Sequence, residues 1–81
     1  MKLIDTVEMM NSENYKERFR AEYFQLQIRI DSLANMLIKM ENGTLDFAPK
    51  CRYDLLKGQL IAMNLYAGCL RERAEIENII L

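Results

Sequence analysis

The sequence predicts an all-α fold: an antiparallel helical hairpin, two long helices plus a short N-terminal segment, assembling into a homo-oligomeric bundle. Three observations carry this. Phe19, Tyr23, Leu26, Ile30, Leu33, Leu37 and Met40 recur in alternating steps of four and three residues, an unbroken heptad line. Leu56, Leu60, Met63, Ala67, Leu70 and Ala74 repeat the rhythm further along. Apolar residues make up 51% of the chain, more than two helices hide between themselves, and identical subunits are the simplest cover for the excess.

With 81 residues and three glycines the chain reads as one domain, 1–81. Its parts are an N-terminal segment 1–11, a helix 12–42, a loop 43–48 and a helix 49–79. In the first part, Leu3, Ile4, Val7 and Met10 fall at helical spacing with Asp5 and Glu8 facing away. One or two turns are marginal alone. The segment therefore reads either as frayed and loosely docked or as an arm packed on a neighbouring subunit.

Asn11 and Ser12 are both suited to cap the first long helix, and Glu13 and Glu17 load its first turns with the charge its dipole favours. A second stripe, Phe24, Ile28 and Ile38, widens its apolar face. Asn42-Gly43 ends it, with Gly supplying a left-handed position and Lys39 a cation in the last turn. The short connection makes the long helices antiparallel neighbours, and Leu45 and Phe47 are expected to fold back over that end. Pro49 suits the first turn of the second helix, where its missing N–H has no partner to lose. Ala67 and Ala74 should face the large Phe19 and Tyr23. Leu55, Ala62, Cys69 and Ile76 form a second heptad line, so each helix is expected to touch more than one neighbour. Gln59 and Tyr66 should hydrogen-bond across a helix interface. Gly58 and Gly68 sit inside the helix at a cost of about 1 kcal/mol each. They read either as tolerated surface glycines or as places where another helix or a ligand comes close.

Cys51 and Cys69, eighteen residues apart on one helix, would stand about 27 Å apart, too far for a disulfide. Both are expected to be small buried hydrophobes. The chain holds no histidine and no CxxC pair, which leaves nothing to build a zinc site. Ser12 and Ser32 have no base at a recognisable spacing, so no catalytic residue, metal or cofactor is expected and the chain reads as a non-enzyme. Eleven Lys and Arg against twelve Asp and Glu leave a net charge of −1, which argues against a broad nucleic-acid footprint. The apolar runs are far short of the roughly 20 residues that span a bilayer, and the first residues lack a signal peptide's apolar core. A cytosolic protein without membrane contact is expected.

Two clusters are candidates for binding. Tyr15, Arg18, Arg20 and Tyr23 begin the first long helix, and the hairpin brings them towards Arg71 and Arg73 near the end of the second. Aromatic rings and guanidinium groups at one end of a bundle suit a nucleotide-sized anion, particularly between subunits. The plainer reading is a set of surface ion pairs with Glu22, Glu72, Glu75 and Glu77. Lys50, Arg52, Tyr53 and Lys57 form the other cluster, at the start of the second helix. Free N–H groups and cations favour anions there, although a solvated basic turn has the same composition.

One resemblance adds to this reading. Pro49-Lys50-Cys51, Tyr53, Leu55-Leu56, Gln59-Leu60, Met63, Tyr66, Leu70, Arg73-Ala74 and Ile76-Glu77 resemble the C-terminal half of small bacteriophage and prophage proteins related to a crAss-like phage protein. Glu22, Gln25-Leu26 and Ile30 resemble that family more loosely. In architecture and size the chain is also similar to phage sponge hairpins that sequester the nucleotide signals of the CBASS and Thoeris defences. That likeness implies an oligomer in the cytoplasm of the bacterial host, holding a cyclic di- or trinucleotide or a cyclic ADP-ribose isomer between subunits. It aligns no ligand-contacting residue with this chain. The alternative is a phage protein–protein interaction module without a small-molecule ligand.

Overall fold

In a computed structural model that describes all 81 residues, a 3-10 turn at Leu3–Thr6 runs into the short helix α1, Val7–Met10. Two long helices follow, α2 at Tyr15–Asn42 and α3 at Tyr53–Glu77, and there is no strand. The molecule measures 43 × 24 × 17 Å, one long helix in its greatest dimension.

Helix α2 starts three residues later than its cap signals suggested. Asn14 is the N-cap, its side chain accepting from the Lys16 backbone N–H at 2.9 Å. Ser12 instead accepts from the Asn14 N–H at 3.0 Å, which holds the approach to the helix. The far end is as expected: Gly43 at φ 69° closes α2 in the left-handed conformation.

The second helix does not begin at Pro49. Arg52 is its N-cap, and Pro49, Lys50 and Cys51 lie in the connection. Tyr53 reaches Glu41, one residue before the end of α2, with its hydroxyl donating to that carboxylate. A helix wound back to Pro49 would overrun Gly43 by a turn and find nothing to pack on. At the other end α3 stops at Glu77, and Asn78 at φ 58° reverses the chain. The Ile79 N–H then donates to the Ala74 carbonyl at 2.8 Å and its side chain turns back into the core.

Both heptad lines meet. Phe19, Leu26, Ile30 and Leu37 of α2 are buried with Leu60, Ala67, Leu70 and Ala74 of α3, and Tyr23, Leu33, Met40, Leu56 and Met63 pack against them. The second line of α3 stays open, with Leu55 and Ile76 at least half exposed, while on α2 Ile38 is exposed and Phe24 and Ile28 are half-buried. Cys51 and Cys69 are free and exposed rather than buried, because one lies in the connection and the other on the outer side of α3. Phe47 remains 56% exposed and does not close the turn. Tyr66 does bond across the hairpin, to the Glu22 carboxylate, whereas Gln59 turns along its own helix to the Met63 sulfur at 3.8 Å.

The N-terminal segment docks on its own chain. Thr6 is fully buried, donates its hydroxyl to the Leu3 carbonyl at 2.7 Å and accepts from Gln25 Nε2 at 2.9 Å. Ala21, also fully buried, lies one turn before Gln25 on the same face of α2, small enough for the segment to come close. No helix is long and apolar enough to cross a membrane.

Candidate functional site

The start of α2 and the end of α3 converge at the open end of the hairpin, where the first predicted cluster stands. Tyr15 is its hub. Its hydroxyl donates to Glu77 Oε1 at 2.8 Å and accepts from Arg73 Nη2 at 3.0 Å. Arg73 Nε in turn donates to Glu77 Oε2 at 3.3 Å, closing a three-membered ring. The guanidinium lies over the Phe19 ring, 5.0 Å from its centre, a cation–π contact that fixes its plane. Tyr15 meets the same ring edge-on, at 6.2 Å between centroids.

The rest of the cluster divides. Arg71 Nη1 donates to the Tyr23 hydroxyl at 3.4 Å, one turn further in. Arg20 turns instead to the tail, its Nε donating to the Ile80 carbonyl at 2.7 Å. Lys16 Nζ likewise donates to the Asn78 carbonyl at 3.2 Å. Arg18 bends back to the Ser12 carbonyl at 2.7 Å. The structure therefore joins Tyr15, Arg73, Phe19 and Glu77 in one constellation and sets Tyr23 with Arg71 beside it. Arg18 and Arg20 serve as backbone ties.

The electrostatics follow from the ring. The hydrogen bond to the Glu77 carboxylate raises the Tyr15 pKa above the ordinary phenol value, assisted by desolvation and by the charge of Glu77, with Arg73 opposing. Glu77 is the last residue of α3, and the last turn holds no basic residue. A carboxylate there faces the negative end of the helix dipole. What holds it is the donor pair from Tyr15 and Arg73, the kind of pair that also binds a phosphate oxygen.

The second cluster is looser and lies at the opposite end. Lys50 and Arg52 precede α3, Lys57 is one turn inside it, and all three are exposed. Only Tyr53 is tied down, and its bond to Glu41 raises its pKa in the same way. Starting α3 at Tyr53 places Lys50 outside the first turn, so the expected union of helix N-terminus and flanking cations is not formed as drawn from Pro49.

A family model described as Sequestin matches residues 13–76. The chain belongs to the Sequestin family. No curated protein and no solved structure matches it. The Sequestin match takes in both basic clusters; Glu77 and the Leu3–Thr6 turn lie beyond its ends.

The concave surface of this Sequestin chain lies elsewhere. A groove of about 380 Å³ runs beside the docked N-terminal segment, lined by Leu3, Ile28, Leu33, Met36 and Met63, with Arg29, Ser32 and Gln59 at polar positions. None of the predicted binding residues lines it. The helical spacing of Leu3, Val7 and Met10 foretold a second groove beside the segment, lined by these three with Ile4, Gln25 and Arg29, and the bonds of Gln25 to Thr6 and Met10 fix which face of α2 receives the segment.

Proposed function

We propose that the chain is a phage-derived sponge: a non-catalytic homo-oligomer in the host cytoplasm that binds a cyclic nucleotide or cyclic ADP-ribose-type immune signal and so blocks anti-phage defence. The Tyr15–Arg73–Glu77 ring over Phe19 carries this reading. It supplies a held guanidinium, a phenol donor and an aromatic floor without any catalytic group, which is all that sequestration requires. The Sequestin family name, which denotes sequestration, supports it. A phosphate entering the site takes the two donors now held by Glu77 and pushes that carboxylate out towards solvent. Tyr23 and Arg71 stand next in line for the second phosphate or the base.

Calorimetry with a panel of cyclic di- and trinucleotides and cyclic ADP-ribose isomers tests the proposal. Binding of one panel member, weakened about tenfold or more by Arg73→Ala and strengthened by Glu77→Gln, is the expected result. Heat from none of them removes the reading for these ligands.

The apolar groove favours a second reading, a protein–protein interaction module that docks an apolar helix there and uses its charges only for solvation. A panel without heat, together with loss of a host or phage partner on Met36→Glu, would support this alternative.

A further inference from the structure

We infer that the outer face of α3, formed by Leu55, Gly58, Ala62, Leu65, Cys69 and Ile76, is the seam on which α3 of a second copy packs. The inference rests on the self-assembly proposed above and is independent of any ligand. These residues follow one another at heptad spacing, with Glu72 at the one remaining position. They lie on the back of a helix whose front, Leu60, Ala67, Leu70 and Ala74, is already buried against α2. All six are exposed, Leu65 at 69% and Ile76 at 73%. A heptad rhythm on a solvent face has no role within the hairpin, since its period is the one that matches another helix.

The amount of surface agrees. A compact monomer of this mass exposes about 5,100 Å², whereas the chain exposes 5901 Å². The excess of about 800 Å² is what each partner buries in an interface of standard size. The shape of the stripe selects a copy of the same chain as the occupant. Along the stripe, bulky Leu55, Leu65 and Ile76 are separated by the small pair Gly58 and Ala62 and by Cys69 with Glu72, so one surface offers both the knobs and the holes that a two-fold contact requires. Gly58 in particular is not demanded by its own chain, because a Cβ there would meet nothing within 4 Å.

Sedimentation velocity of the full chain at micromolar concentration, with two substitutions, decides the matter. Leu65→Glu puts a carboxylate in the middle of the seam and should weaken association about a hundredfold or more, with the helical circular dichroism unchanged. Ile38→Glu, on the exposed side of α2, should leave association intact. In a Cys51→Ser background the Cys69 thiol should react slowly with a thiol reagent in the associated protein and fast in Leu65→Glu. A monomeric wild type would overturn self-assembly and the seam together. An associated wild type that survives Leu65→Glu, or that dissociates with Ile38→Glu, would overturn the seam alone and move the contact to another face.

Discussion

Replacing Thr6 with valine tests how the N-terminal segment is held. The substitution keeps the branched shape of a fully buried side chain and deletes a hydroxyl with two partners, the Leu3 carbonyl and Gln25 Nε2. Each bond contributes about 0.5–1.5 kcal/mol net, so losing both costs about 2 kcal/mol. The cost falls on one local event, because Gln25 keeps its second contact, the Met10 sulfur, only while the segment is docked. An opening equilibrium shifted by about 2 kcal/mol populates the undocked segment about thirtyfold more. Amide hydrogen exchange reads this directly at Asp5, Asn11 and Ser12, whose N–H groups bond to Lys2, Val7 and Met9 carbonyls. Their protection should drop about thirtyfold, while amides of α2 and α3 around the core keep theirs. Unchanged protection at those three amides would refute the reasoning. So would a uniform loss across α2 and α3, since it would make the segment part of the global fold.

Leu70→Ala removes a side chain only 1% exposed in the core between α2 and α3 and should cost about 2–5 kcal/mol. Set against the roughly 4–12 kcal/mol expected for a chain this long, the midpoint of urea unfolding should fall steeply; a loss under about 1 kcal/mol would contradict the packing described. Asn78→Val places a branched residue at φ 58° and should cost about 1–2 kcal/mol, whereas Asn78→Gly should not destabilise. Tyr15 and Tyr53 both have folded pKa values raised by carboxylate partners. Their stabilising bonds are therefore fully present below the unfolded phenol pKa and lost as pH rises through the higher folded values. Phenolate absorbance should show a late component that Tyr15→Phe and Tyr53→Phe each reduce. A titration curve with no late component would count against both bonds.

The core was legible because its signal is redundant. From Phe19 to Met40 each member of the heptad line is corroborated by the next, whereas Ala21, buried under the N-terminal segment, lies outside it. The helix starts were harder to read, because a cap signal is local and several residues carry it. Asn11, Ser12 and Asn14 all suit the N-cap, and geometry with the docked segment selects Asn14. Pro49 suits a first turn as well, but the end of α2 at Gly43 leaves a helix there without support. The cysteines were misread for a related reason. Cys69 lies on an apolar line, and a line of apolar residues does not say whether its own chain covers it. In the open-end cluster, the sequence named Arg73 and Glu77 as an ion-pair candidate, and the structure pairs them, but it did not show the Tyr15 hydroxyl set between them. It also gave Arg18 and Arg20 the same standing as Arg73, since a carbonyl partner such as that of Ile80 leaves no trace in a residue pattern.

The single ten-residue connection between α2 and α3, from Gly43 to Arg52, also sets an order of events in folding. Loop closure is cheapest between residues near the turn, so Leu37 and Leu56 meet early, and the pairing then zips away from it. Phe19 and Ala74 pair last, and Ile79 closes behind them. The same gradient runs backwards in the native state, where the end farthest from the turn frays first. Tyr15, Arg73 and Glu77 stand at that end, so their ring opens with one helical turn while the hairpin behind it stays zipped.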